Sequence, residues 1–302
     1  MKTKRRVIRN IGGMALALTI SVGVFQGYAS LNEREQTQEN NTAVETMQEQ
    51  ESRALGPASL LVESTESEEV ARSKTEAAES ETAETKPREI SEEEIDAYFQ
   101  DSVFVGDSVM VGFRNYALRR QDSFLANIKF LAAGSLSAHN AFWEISANSV
   151  HPIYQGEKRM IWDSISMMQA KKVFLFLGLN DLNIGGVDGS CAKYKELIDK
   201  IKEKVPDVEI SVISMTYTLA GKGKGKLNNE EIRKFNEKLA QMAQENGWGF
   251  VNLAPALADE NGDLAPQYCS DQFVHQTTAA YDVWVSVLRS YAKERLQAAA
   301  QN

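Results

Sequence analysis

Short apolar runs alternate with helix-like segments along the last two thirds of the chain. The apolar runs predict five strands, near 102–106, 128–133, 172–177, 208–214 and 249–252. The helix-like segments lie near 92–100, 109–120, 160–170, 189–204, 228–246 and 277–298. Because such alternation is typical of parallel strands with crossover helices, we expect an α/β domain over residues 91–302.

The pattern before residue 91 is different. Residues 11–30 are uncharged and follow five basic residues, Lys2, Lys4, Arg5, Arg6 and Arg9. This order predicts a signal peptide or a membrane anchor over residues 1–30. The strongly apolar part ends near Phe25, which is short for a spanning helix of about 20 residues, and Gly27-Tyr28-Ala29 suits cleavage. Either interpretation predicts an extracytoplasmic protein, membrane-anchored by this segment or secreted if it is cleaved.

Residues 31–90 are acidic and poor in large apolar side chains. They contain 15 acidic and 6 basic residues and are rich in Glu, Ser and Thr. Such a segment buries too little apolar surface to offset the entropy of ordering. We therefore predict a disordered linker, which would act as a tether for the domain.

Three of the apolar runs end in residues suited to catalysis. Gly106-Asp107-Ser108 closes the first run and opens a helix, so unpaired backbone N–H groups and the helix dipole would favour an oxyanion beside Ser108. The second run ends at Gly134, and the third leads into Asn180 and Asp181. The carboxyl ends of the strands form the edge where open α/β sheets bind ligands. We therefore expect these residues to share one crevice.

A histidine and an acid lie just before the last predicted helix, in the sequence Ser270-Asp271-Gln272-Phe273-Val274-His275. A serine with a base and an acidic partner is the residue set of nucleophilic acyl transfer. Three donors would serve an oxyanion: the N–H of Ser108, the N–H of Gly134 and the amide of Asn180.

Ser108, Gly134, Asn180 and His275 match, in order, the four named residues of the SGNH (GDSL) hydrolase superfamily. Roughly residues 93 to 299 resemble this superfamily, in its exported bacterial form. The resemblance implies a three-layer α/β/α, doubly wound fold with a flavodoxin-like, parallel five-stranded sheet. It also implies catalytic roles for Ser108, His275 and an acid, and an oxyanion hole at Ser108, Gly134 and Asn180.

The acid departs from the superfamily's spacing. The superfamily usually has Asp three residues before its His, whereas Gln272 holds that place here and Asp271 lies four residues before His275. An amide can orient an imidazole but offers no negative charge. A bulge in a loop can absorb one residue, so we predict that Asp271 is the catalytic acid.

The resemblance and the predicted export together indicate a serine esterase that acts through an acyl-enzyme. We expect an acylated small molecule or polysaccharide as substrate, with O-acetyl groups on cell-wall or environmental polysaccharide as the first choice. An O-acetyltransferase would use the same residues. A catalytically silent, surface carbohydrate-binding module of this fold is a further alternative.

The charge and the residue composition limit which kinds of partner and cofactor the sequence predicts. The formal net charge is -9, and the domain has no basic stripe, which argues against nucleic acid as a partner. Membrane contact is expected only through the N-terminal segment, and the oligomeric state stays open. We expect Cys191 and Cys269 to be unpaired. The three histidines do not cluster with them, so no metal or cofactor is predicted.

Glycine and lysine alternate over residues 221–226, after the fourth predicted strand. The segment lacks the Gly-Lys-Ser/Thr ending of a phosphate-binding loop. We interpret it as a mobile, solvated loop, with a lid or a contact for an acidic polymer as the functional alternative.

Overall fold

The structure is a computed structural model that describes residues 88–120 and 123–301. The predicted leader, residues 1–30, and nearly all of the predicted linker, residues 31–90, lie outside the described residues. Among the helices that are described, none combines the length and apolar character needed to span a bilayer.

The described part of the chain contains seven strands and six α-helices. The strands are β1 (Ser102–Gly106), β2 (Ile128–Ala132), β3 (Ile153–Tyr154), β4 (Glu157–Lys158), β5 (Lys172–Phe176), β6 (Glu209–Ile213) and β7 (Gly249–Val251). The helices are α1 (Glu92–Tyr98), α2 (Ser108–Arg119), α3 (Ile161–Met167), α4 (Leu182–Lys204), α5 (Asn229–Asn246) and α6 (Thr278–Ala299).

The main sheet has five parallel strands in the order β2-β1-β5-β6-β7. This is the flavodoxin-like order, so the predicted doubly wound fold is confirmed. The chain moves outward from β1 to β2 and then returns past β1 to β5, so the order reverses between β1 and β5. Ligands bind at such a switch point. Gly106 is in register with Ala132 and Phe176, so the three strands end at the same level.

Helices cover both faces of the sheet. Helices α3, α4 and α5 contact one another in series, while α1 and α2 both contact α6. Right-handed crossovers in opposite directions from β1 place the two groups on opposite faces. The core lies between the layers, where β1 is buried at every residue and β5 at every residue except Lys172. Phe104 of β1 and Phe174 of β5 stack with ring centroids 4.6 Å apart at the centre of this core.

Helix α4 and a small hairpin differ from the sequence prediction. Helix α4 begins at Leu182 rather than near residue 189, because two helical segments join at Gly186, whose φ of 62° breaks the regular geometry. A side chain at that φ would be strained, so glycine permits the kink. The two-residue strands β3 and β4 pair antiparallel and were not predicted, since neither carries an apolar run.

Candidate active site

The turn from β1 into α2 presents Ser108 as the first residue of a 12-residue helix. Asp107 caps this helix, and its Oδ1 accepts a hydrogen bond of 2.9 Å from the N–H of Val109. Gly106 is required by close packing, since a Cβ there would lie 2.7 Å from the carbonyl oxygen of Phe176. Gly106 and Asp107 thus each have a local structural reason, and Ser108 lies half-buried at the helix N-terminus.

Ser108, His275 and Asp271 are connected in series. The Nε2 atom of His275 lies 2.9 Å from the Oγ of Ser108, and its Nδ1 lies 2.5 Å from Oδ2 of Asp271. The serine and the histidine are 167 residues apart in the chain, so the fold alone brings them together. A hydroxyl, an imidazole and a carboxylate in this order form the arrangement that activates a serine nucleophile.

The loop that carries His275 absorbs the extra residue at Gln272. Gln272 adopts a left-handed conformation with φ of 60°, and its side chain is exposed. Oδ1 of Asp271 accepts hydrogen bonds from the N–H groups of Phe273, Val274 and His275, at 2.9, 2.9 and 3.1 Å. Asp271, and not Gln272, contacts the imidazole. The Asp271 carboxylate therefore stabilises the shape of the loop through these N–H groups and also orients the imidazole ring.

The residues on either side of this loop attach it to the core. Ser270 donates to the carbonyl of His275 at 2.9 Å, which closes the loop. The buried side chain of Gln276 donates to the Oγ1 of Thr216 at 2.9 Å and accepts from the indole N–H of Trp284 at 2.6 Å. The side-chain contacts of Gln276 therefore fix the backbone next to His275. They act in addition to the contacts that the His275 ring makes itself.

Electrostatics keep Asp271 charged. Burial of the carboxyl raises its pKa, but the hydrogen bond and charge of His275, together with the N–H groups of Phe273 and Val274, outweigh burial and lower the pKa to about 2. The acid is therefore ionised across the pH range in which esterases act. An ionised partner stabilises the imidazolium that forms when His275 takes a proton.

Asn180 and the Gly134 loop meet at the same edge of the sheet. The Nδ2 group of Asn180 donates to the carbonyl of Leu136 at 3.1 Å, which fixes the amide while a second N–H of that group remains for a ligand. Gly134 is exposed, and among the described residues no atom beyond Gly134 and its two chain neighbours lies within 4 Å of the position that a Cβ would occupy. A ligand can therefore approach the backbone at Gly134 closely. The structure brings these two residues to one loop cluster, beside the ends of β1 and β5.

Asp181 fixes that cluster through a contact that the sequence pattern does not reveal. Its buried carboxylate accepts from the N–H groups of Ala138 and His139 at 3.2 and 3.1 Å and lies 2.6 Å from Nδ1 of His139. In the sequence, Asp181 stands out only as the residue that follows Asn180 after an apolar run. Here it joins the Gly134 loop to the start of α4, more than 40 residues away in the chain. His139 is therefore hydrogen-bonded to Asp181 through both its backbone N–H and its ring.

Asp107 is a buried carboxylate next to the nucleophile. Burial raises its pKa to about 7, against the opposing effects of the Val109 N–H and the charge of His275. Its Oδ2 atom is buried and has no hydrogen-bond partner within the described part of the chain. An acid whose pKa is higher in the folded protein than in the unfolded chain takes up a proton on folding between those two values. The contribution of Asp107 to the free energy of unfolding therefore falls as the pH rises from about 4 to about 7.

We expect Asp107→Asn to remove this pH dependence. The amide oxygen can still cap α2, and the cost of burying the amide group does not change with pH. The unfolding free energy of the variant relative to wild type should rise by a few kcal/mol, order of magnitude, between about pH 4 and pH 8. Chemical denaturation at a series of pH values measures this difference. Parallel pH profiles for the two proteins would contradict the assignment.

We expect Asn180→Ala to lower kcat by about 10²–10³-fold, the usual loss when one oxyanion donor is removed. The KM should change little, because the amide would act mainly on the charged intermediate. Steady-state kinetics on a small ester measure both constants. Asp188→Ala is a matched control, because Asp188 is exposed on α4 and pairs with Lys238. A variant of Asn180 that loses only substrate affinity would exclude the oxyanion role.

Of the two cysteines, Cys269 lies next to the catalytic acid, since its Sγ donates to Oδ1 of Asp271 at 3.7 Å. Cys191 is buried and Cys269 is half-buried, and both are free thiols. Burial raises the pKa of Cys191 to about 11, which disfavours the reactive thiolate. Over residues 88–120 and 123–301, no three or more His, Cys, Asp or Glu side chains are arranged to hold a metal ion.

Comparisons with known proteins show which proteins this chain is similar to. A curated relative, the "Multidomain esterase" of Ruminococcus flavefaciens, is 26% identical over 137 residues, which are 43% of this chain. The chain spans only 17% of that relative's length. A GDSL-like lipase from Bacteroides thetaiotaomicron has a similar structure, with a TM-score of 0.46 and 16% identity over 64% of this chain and 88% of that one.

A further structural neighbour is a carbohydrate esterase family 3 protein from Talaromyces cellulolyticus. Its TM-score is 0.42 with 14% identity, over 65% of this chain and 95% of that one. Residues 104–283, more than half of the chain, match the sequence profile of the GDSL-like Lipase/Acylhydrolase family. This match runs from β1 into α6 and includes Ser108, Asn180 and His275. The chain therefore belongs to the GDSL-like Lipase/Acylhydrolase family.

Proposed function

We propose that this protein is an exported esterase that removes O-acetyl groups from a polysaccharide through an acyl-enzyme on Ser108. The observation that supports the mechanism most strongly is the contact series from Ser108 through His275 to Asp271. Export and the acetyl substrate rest on the predicted leader over residues 1–30 and on the family's esterase activity. The proposed domain over residues 91–302 would contain all of the catalytic groups.

The proposed reaction begins with attack by Ser108 on the ester carbonyl. Its Oγ bonds to the carbonyl carbon while its proton passes to Nε2 of His275, 2.9 Å away. The resulting imidazolium is stabilised by Asp271, which holds the opposite ring nitrogen. His275 then returns the proton to the leaving alcohol oxygen as the ester C–O bond breaks, which leaves an acetyl group on Ser108.

Water completes the proposed cycle. His275 takes a proton from a water molecule as its oxygen attacks the acetyl carbonyl, and acetate leaves when the proton passes to Oγ of Ser108. In both halves an oxyanion forms on the former carbonyl oxygen. The N–H groups of Ser108 and Gly134 and the amide of Asn180 would donate to it, and the N-terminus of α2 would add a favourable dipole.

A polysaccharide substrate is consistent with the proposed arrangement of the whole chain. If residues 31–90 form a flexible coil, its r.m.s. span would be roughly 40–45 Å. An anchored domain on such a tether would reach polymers outside the membrane. This part of the proposal depends on the sequence prediction for residues 1–90.

The function is tested by acyl-chain preference and by the fate of the acyl group. Turnover of nitrophenyl acetate should exceed that of the octanoate, and acetate should be released from an acetylated polysaccharide. Adding an unacetylated acceptor sugar separates hydrolysis from transfer. A strong preference for long acyl chains would overturn the acetyl assignment, and acetylated acceptor in place of free acetate would identify an O-acetyltransferase.

A further inference from the structure

The connection between β6 and α5 contains three lysines and no acidic residue. Residues 214–228 include Lys222, Lys224 and Lys226, all exposed, and each lysine follows a glycine. The connection leaves the carboxyl end of β6, so it starts at the same edge of the sheet as the catalytic residues. In a chain of net charge -9, such a local concentration of positive charge is unusual enough to need an explanation.

Several hydrogen bonds hold this connection in place. At its base, the side chain of Asn229 accepts from the N–H of Thr218 at 2.7 Å and donates to the Thr218 carbonyl at 2.8 Å. At its tip, the backbones of Lys224 and Leu227 exchange two hydrogen bonds, and Leu227 is buried. The lysines are therefore displayed from a turn with defined geometry.

One side of the connection rests on the catalytic loop. The N–H of Leu219 donates to the carbonyl of Phe273 at 2.8 Å. The ammonium group of Lys224 lies over the ring of Phe273, 4.4 Å from its centroid. Phe273 lies between Asp271 and His275 in the sequence, so this positive charge is adjacent to the catalytic loop.

The other side rests on the start of α4. The N–H of Lys226 donates to Oδ1 of Asn183 at 2.8 Å, three residues after Asn180. The Nζ atom of Lys226 lies beside the kink in α4, 3.2 Å from the position that a Cβ on Gly186 would occupy. The connection therefore bridges the loop that carries His275 and the start of α4, which follows Asn180.

These charges are not neutralised by carboxylates in the described residues. Several other lysines form ion pairs within 4.0 Å, including Lys200 with Glu203 and Lys234 with Glu230. No such pair is found for Lys222, Lys224 or Lys226 over residues 88–120 and 123–301. The ring contact of Lys224 leaves its charge intact.

The spacing of the charges indicates the kind of ligand. The three lysines alternate with glycines along the chain instead of converging on one point, as donors around a single phosphate would. No exposed apolar side chain accompanies them on residues 221–226, as insertion into a bilayer surface would require. Separate ammonium groups along a rim suit a polymer with separate anionic groups.

We propose that Lys222, Lys224 and Lys226 form a cationic rim that binds carboxylate groups of an acidic polysaccharide while one of its acyl esters occupies the site at Ser108. This inference rests on the proposed esterase function, which it extends to a substrate class. The rim adds electrostatic attraction to groups of the polymer that take no part in the chemistry. The rim therefore affects which polymers the enzyme prefers as substrates.

The test compares acidic and neutral polymers in two charge-matched variants of the full chain. The rim variant carries Lys222→Gln, Lys224→Gln and Lys226→Gln. The control variant carries Lys200→Gln, Lys202→Gln and Lys293→Gln, which are exposed residues near the far ends of α4 and α6. Both lose three positive charges. Acetate release is measured on O-acetylated polygalacturonate and on O-acetylated glucomannan, and kcat/KM for the first is divided by kcat/KM for the second.

We expect the ratio to fall by about tenfold in the rim variant at low ionic strength, and to stay within about twofold of wild type in the control. For wild type, the ratio should also fall in about 1 M salt, where the screening length is about 3 Å. Equal ratios in the rim and control variants, or a wild-type ratio that does not respond to salt, would overturn the proposal.

A binding measurement separates this proposal from the proposed function. Affinity electrophoresis in gels containing unacetylated polygalacturonate needs no turnover. Wild type and the control variant should be retarded, and the rim variant should not. Equal retardation of all three proteins would overturn the proposal that the rim binds acidic polysaccharide. Sedimentation of wild type with phosphatidylglycerol vesicles, without retardation by polygalacturonate, would also overturn it and would indicate a membrane surface instead.

Discussion

Replacing Ser108 with alanine is expected to reduce ester hydrolysis to the background rate and to leave the domain folded. Loss of a serine nucleophile in a comparable triad costs about 10⁶-fold in kcat. The fold should persist, because Ser108 is half-buried and α2 keeps its cap at Asp107. Turnover of nitrophenyl acetate measures the activity, and thermal unfolding followed by circular dichroism checks the fold.

The same prediction extends to the histidine. We expect His275→Ala to be nearly as inactive as Ser108→Ala, and the double variant to be no slower than either one, because the two side chains act as a unit. Independent, additive losses would show that the 2.9 Å contact between them is not used in catalysis. Full activity in Ser108→Ala would exclude the serine mechanism altogether.

The second large effect is expected at the acid. Asp271→Asn should lower kcat by about 10⁴-fold, the loss known for this exchange in a serine triad. An amide in place of the carboxylate can accept the hydrogen bonds from Phe273, Val274 and His275, so the loop should keep its shape. It cannot supply the negative charge that stabilises the imidazolium or select the reactive tautomer. Steady-state kinetics on a small ester give the size of the loss.

Gln272→Ala is the matched comparison for the acid. The Gln272 side chain is exposed, so its removal should change kcat by less than about tenfold, a small effect beside that of the triad acid. Its left-handed backbone makes Gln272→Asn a useful additional variant, since Asn tolerates that conformation well. A larger loss for Gln272→Ala than for Asp271→Asn would mean that His275 works without a carboxylate, as part of a Ser-His pair.

The central sheet is the part of the fold that the sequence predicts best. Each of its five strands is an apolar run bounded by polar or turn residues, and β1 is buried along its whole length. Local pattern and tertiary environment therefore agree at these positions. The helical pattern predicts a start of α4 that is too late, because Gly185-Gly186 interrupts the pattern although the backbone continues through a kink. Hairpin β3–β4 has only two residues in each strand, too few to form a detectable pattern.

The candidate site could be predicted where a residue type coincides with the end of a strand. Ser108 and Asn180 follow buried strands, and His275 comes just before the last helix. The contact between Asp271 and His275 required a bulge, which the structure provides through the left-handed Gln272. Catalytic roles for these residues, and for Gly134, stay predictions until they are tested by substitution.

Long-range positioning contacts could not be predicted from one sequence. Asp181 holds the turn at His139 across more than 40 residues, and no periodicity links the two positions. The sequence shows the alternation of glycine and lysine at 221–226, but it does not show where this segment lies in the fold. Contacts with Phe273 and Asn183 place this segment beside the catalytic loop, and they depend on how three strand connections meet at one edge of the sheet.

Covalent labelling of the nucleophile tests the central claim most directly. The protein is treated with a fluorophosphonate, which reacts with activated serines, and the modified residue is located by mass spectrometry of peptides. We predict one adduct per chain, on Ser108, formed in parallel with loss of esterase activity and greatly slowed in His275→Ala. An enzyme that loses its activity through an adduct on another residue, with Ser108 unmodified, would contradict the assignment of Ser108 as the nucleophile.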